Sequence, residues 1–134
     1  MQWFDFAILY AISLPTFLVV DLLWIGIFAN SFYQQQIGHL RGDINWYAAI
    51  AFYLIFLIGL TYFAIYPAAQ AGSVQTALLL GGLFGFFIYA GYDLTNMATL
   101  RDWPLAMTLV DMVWGTVLGA SVSALTVMAY LQWF

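Results

Sequence analysis

An all-α, integral membrane four-helix bundle is the fold this sequence predicts, and three observations predict it. Hydrophobic residues make up 66% of the chain and charged residues 6%, with a mean hydropathy of +0.96, a composition outside that of water-soluble domains. Four apolar runs reach the roughly 20 residues that a helix needs to cross a bilayer. The stretches "NSFYQQQIGHLRGDIN", "PAAQAGSVQ" and "TLRDWP" separate those runs with polar and turn-forming residues. No run alternates at period two, and backbone groups in hydrocarbon must bond internally, so transmembrane helices are expected rather than a barrel.

The first span is read as Phe6 to Ala29. It lacks a basic leader, is long, and contains Asp21, so it is expected to be a true span and not a cleaved signal. Pro15, lying inside it, is expected to open the backbone locally. The second span, Trp46 to Tyr66, carries Tyr53. The third, Thr76 to Ala98, contains "GGLFGFFIYAG", with Gly81 and Gly85 at the spacing that lets helices approach closely. The fourth, Leu105 to Tyr130, repeats that spacing at Gly115 and Gly119, and Pro104 suits its first turn. These glycines are expected to pack helices within one bundle, with a homo-oligomer as the alternative. Trp3, Trp46, Trp103 and Trp133 lie at the span ends and read as an interfacial belt. One transmembrane domain covering residues 1–134 is expected.

Composition also excludes functions. With two arginines, no lysine and a net charge of −4, the chain has no patch to neutralise phosphates, so nucleic acid is not an expected partner and the lipid bilayer is. The absence of cysteine removes disulfides and thiolate sites. A single histidine, His39, falls short of the ligands that di-iron, bis-histidine haem or zinc sites require, and no metal or cofactor is expected. Ser13, Ser121 and Ser123 sit far in depth from His39, which leaves a hydrolytic triad unsupported.

Both arginines fall in odd-numbered connections, Arg41 between the first and second spans and Arg101 between the third and fourth. The two connections therefore share a face, which the positive-inside rule makes cytoplasmic, with both termini periplasmic. Depth can be counted from that face. Asp21 lies eight residues before Ala29, Asp93 five before Ala98 and Asp111 six after Leu105, which places all three at roughly 8 to 12 Å. Tyr53 falls near the same level on the second span.

Each aspartate has a neighbour three residues on, hence on the same helix face: Trp24, Asn96 and Trp114. The first and last sit in matching words, "VDLLW" and "VDMVW". A carboxylate in a membrane helix costs at least ~2.5 kcal/mol at the helix centre, so these groups are expected to face the interior. Mutual repulsion in low dielectric is expected to leave at least one of them protonated. The expected ligand-binding or proton-handling set is Asp21, Asp93 and Asp111, with Asn96, Thr95, Tyr53 and Tyr92 as hydrogen-bonding partners and Trp24 and Trp114 as walls. The polar connection bearing His39, Arg41 and Asp43 is expected to be a solvated loop that carries the topology signal, with a lid over the carboxylate layer as the alternative, and Arg101 is expected to pair with Asp102. The plain alternative is a hydrogen-bond network that only fixes helix register.

The strings "GYDLTNMATLRDWP", "VDLLWIG", "NWYAAIAFYLIFLIGLTYFAIYP" and "VDMVWG" together resemble the bacterial family of predicted membrane proteins known as domain of unknown function 2177. The resemblance implies a small four-helix inner-membrane protein and supplies no activity. The residues themselves favour binding or transport of a small amphipathic or cationic molecule at the carboxylate cluster. Two alternatives stay open: a membrane enzyme acting on a lipid or isoprenoid with an aspartic acid as general acid, and a non-catalytic assembly subunit.

Overall fold

The computed structural model describes residues 2–134, in which four long helical segments follow one another and no strand occurs among the described residues. They are α1 (Trp3–Leu40), α2 (Trp46–Gln70), α3 (Val74–Thr99) and α4 (Leu105–Trp133), each long and apolar enough to cross a membrane. Local chemistry marks their starts. Asn45 caps α2 by accepting the Ala48 N–H at 3.2 Å, and Ser73 caps α3 by accepting the Thr76 N–H at 3.0 Å. The α2–α3 turn closes through Gly72, whose φ of +62° suits a residue without Cβ.

The first helix departs from expectation. Hydropathy ends at Ala29, yet the backbone continues through a π turn at Ile25–Ala29, an α segment at Asn30–Ile37 and a 3₁₀ turn at Gly38–Leu40. The run "NSFYQQQI" is polar but contains no proline or glycine, and glutamine is a good helix former, so hydrogen bonding goes on after apolarity stops. Pro15 does not open α1, which stays α-helical through it. The hydroxyls of Ser13 and Thr16 donate to the carbonyls of Tyr10 and Ile12 at 2.7 and 2.8 Å beside it. In α2 a second π turn, Thr61–Ile65, precedes Pro67. A proline at that position lacks the N–H and crowds the carbonyl four residues back, which lies inside the widened turn.

Helices α3 and α4 make the most extensive contact in the bundle, and α4 also packs on α1. Glycine explains the first of these. Gly81 lies on Gly119 and Gly85 on Gly115, so closely that a Cβ on any of the four would overlap a neighbouring residue. Around this seam Leu9, Phe17, Leu57, Leu60, Leu118, Val122 and Val127 form the buried core. Leu22, Ile27, Ile55, Phe87 and Val113 point outward and are exposed. Lipid tails are as apolar as leucine, so close packing rather than escape from water is what holds such helices together.

The connections sort to two ends. His39 Nε2 lies 3.9 Å from Asp102 Oδ2, which brings the α1–α2 and α3–α4 connections together. At the other end the Gln2 N–H donates to Tyr66 Oη at 2.8 Å. The ion pair expected between Arg101 and Asp102 is not formed: Asp102 sits in a tight turn with φ +60° and its carboxylate faces His39.

Candidate functional site

At the connection end the four helices enclose a cavity of about 370 Å³. Its wall carries Asp21, Trp24 and Tyr33 from α1, Tyr53 from α2, Tyr89 and Tyr92 from α3, and Asp111 and Trp114 from α4, with Arg41 just beyond the end of α1. Ile25, Ile37, Phe52, Ile88 and Met107 complete it. Two acids, four phenols, two indoles and the Arg41 guanidinium thus converge in a space otherwise lined by hydrocarbon.

Asp111 is the hub. It is 6% exposed, and its Oδ1 accepts a hydrogen bond from Tyr33 Oη at 2.7 Å. Tyr33 Oη in turn accepts from Trp24 Nε1 at 3.2 Å. The Trp24 ring stacks on that of Trp114 with centroids 4.4 Å apart and planes 7° from parallel. The matching words in α1 and α4 are therefore joined twice, by the stacked indoles and through Tyr33. Both other aspartates lie within electrostatic reach of the hub, Asp21 from α1 and Asp93 from α3. Asp93 is fully buried and neither of its oxygens has a hydrogen-bond partner. Asp111 is thus the one of the three that interacts with both of the others.

The π turn accounts for Tyr33. In an uninterrupted α-helix, twelve residues at roughly 100° each would leave Tyr33 about 120° away from the Asp21 face. A π turn takes up one extra residue, which brings that offset down to about 20°. Helical side chains also lean toward the helix N-terminus, so the long Tyr33 side chain reaches back toward Asp111.

Of the residues expected at the site, Asp21, Asp111, Tyr53, Tyr92, Trp24, Trp114 and Arg41 line the cavity. Asp93 is fully buried and lies outside the lining, within electrostatic reach of Asp111. Asn96 is half-buried outside the lining. Thr95 is exposed and its hydroxyl is occupied by its own helix, donating to the carbonyls of Gly91 and Tyr92. His39 and Arg101 are exposed, and neither reaches the cavity. Arg41 is held at the cavity edge by Gln34, to whose Oε1 its Nη1 donates at 3.3 Å.

Sequence reasoning missed the apolar part of the wall and two of its four phenols. Tyr33 was hidden because its segment reads as a connection. Tyr89 carried a usable signal, since it lies four residues before Asp93 and so on the same face of α3. Its ring rests directly on Gly115, four residues after Asp111, where a side chain would displace it.

Fold and site together define a multi-helix membrane protein with an acidic, aromatic-walled cavity near one end of its bundle. The chain belongs to the family of predicted membrane proteins of unknown function, DUF2177, whose family model matches residues 6–128. No curated protein and no solved structure matches it.

Proposed function

We propose that the cavity binds a small amphipathic or cationic molecule from within the bilayer, with Asp21 and Asp111 as counter-charges and the aromatic side chains as its walls. The observation that carries this reading is the convergence of Asp21 and Asp111 with Tyr53, Tyr89, Trp24 and Trp114 on one cavity. Carboxylates supply charge neutralisation, and aromatic faces attract an organic cation by their quadrupoles while tolerating its apolar parts. In surroundings of low dielectric both attractions exceed their values in water. Arg41 and Arg101, both in the connections at this end, support an orientation with this end on the cytoplasmic side of a bacterial inner membrane, by the positive-inside rule.

Mass spectrometry of small molecules and lipids carried by the detergent-purified protein tests the reading. The native chain is expected to retain a discrete cationic or amphipathic species that Asp21→Asn and Asp111→Asn lose. Bulk lipid alone in all three samples would overturn it.

A further inference from the structure

Charges of both signs face the cavity, Asp21 and Asp111 within it and Arg41 at its edge. We infer that its ligand is a zwitterion, with an ammonium group set against Asp21 and Asp111 and an anionic group set against Arg41. This rests on the binding reading above and narrows it to one class of substrate.

The placement of Arg41 follows from the unexpected length of α1. The helix continues past its apolar span as far as Leu40 and stops at Arg41, whose backbone is extended. Arg41 is thereby left on a rim, bordering both the cavity and an open polar groove that Asn30, Gln34 and Asp43 help to line. Its Nη1 donates to Gln34 Oε1 at 3.3 Å, and the Gln34 amide lies over Gly38, where a Cβ would crowd it. Among the described residues Arg41 forms no ion pair, even with the nearby Asp43. Gln34 is a neutral acceptor, so it positions the guanidinium without cancelling its charge, and it occupies one of five donors.

A simple cation would answer only half of this wall. It would meet the two acids and leave Arg41, a like charge, facing the same space. A zwitterion answers both, and because its charges cancel it brings no net charge into surroundings where an unpaired ion is most costly. The two ends of the molecule are told apart. Asp111 lies nearly two turns into α4, whereas Arg41 lies beyond the end of α1, so the ammonium enters first and the anionic group stays at the rim. Tyr53, Tyr89 and the indoles offer faces that attract an ammonium bearing carbon substituents. The guanidinium fork matches a carboxylate or a phosphate with two parallel hydrogen bonds. A zwitterionic lipid headgroup and a free zwitterion share this chemistry.

Hexylphosphocholine and the hexyl ether of choline test the assignment, because they carry the same chain and the same ammonium and only the first has a phosphate. In calorimetric titrations of the protein in a maltoside detergent, the native chain is expected to bind the phosphocholine about fivefold more tightly, the upper range for an ion pair open to solvent. Arg41→Gln should erase that preference, and Arg41→Lys should keep part of it. Asp21→Asn should weaken the binding of both probes alike. Glycine betaine, which has both charges and no chain, separates the two sources. Binding as tight as that of the phosphocholine would mark a free zwitterion, and much weaker binding a lipid headgroup. Equal affinity of the native chain for the two hexyl probes, or a preference that survives in Arg41→Gln, would overturn the zwitterion while leaving the binding reading intact. No binding of either hexyl probe would overturn both.

Discussion

The α3–α4 pair is built differently along its length. Toward the end that holds the chain termini, Gly81 and Gly119 bring the two backbones into contact and leave no space between them. Toward the end with the α3–α4 turn, the same helices carry Tyr89, Asp93, Asp111 and Trp114. Removing side chains lets helices close until backbone meets backbone. Adding large rings that stack on one another, as Trp114 does on Trp24, leaves room beside them that hydrocarbon would otherwise fill. A cavity in a membrane bundle therefore needs a firm floor as much as it needs wide walls, and here Gly115 belongs to both, lying against Gly85 and beneath Tyr89.

The contrast can be broken most forcefully in the seam. Gly119→Val places atoms where the Gly81 carbonyl now lies. It is expected to cost about 3 kcal/mol, the upper range for overpacking, measured as a lowered unfolding transition by circular dichroism in detergent. An unchanged transition would mean that the seam can part without penalty and is no floor at all.

A smaller effect is expected at the cavity wall. Tyr33→Phe removes the hydroxyl that joins Trp24 Nε1 to Asp111 Oδ1, at a cost of about 1 to 2 kcal/mol for the groups left without partners. The Trp24 emission should shift as its N–H loses an acceptor. Identical spectra and stability would show that the indole stack alone positions the wall. The least effect is expected at Thr95→Val, because that hydroxyl is exposed and satisfied within its own helix. Its unfolding transition should stay within about 0.5 kcal/mol of the native value, and a large loss would place Thr95 in the polar network after all.

The membrane class and the four spans could be read from hydropathy because bilayer crossing imposes a length and a composition on each helix. The polar layer was an expectation of a related kind: alternating the helix directions puts Asp21, Asp93 and Asp111 at one depth by counting, and Asp21 and Asp111 line one cavity. What counting cannot supply is the lateral arrangement. Depth gave no sign that Asp93 would be buried outside the cavity wall, or that Thr95 would turn back onto carbonyls of its own helix. The end of α1 was misplaced because hydropathy reports where lipid stops, and a helix of glutamines continues past that point. Tyr33 was lost with it, since neither its segment nor its phase follows from a regular 3.6-residue repeat.

The π turn at Ile25–Ala29 has a consequence for how this region can vary. Because the alignment of Tyr33 with Asp21 depends on the turn absorbing one surplus residue, it is set by the backbone form of this stretch and only weakly by the identity of its side chains. Side chains along the outer face of this stretch can change while the phase is kept. Losing a single residue there would restore a regular helix and leave the tyrosine, now eleven residues on, about 20° from the Asp21 face, whereas closing the π turn with all its residues kept would swing the tyrosine a third of a turn off the cavity. In this part of the molecule the widened turn is the functional signal, and a change that tightens it without shortening the chain is the more damaging kind.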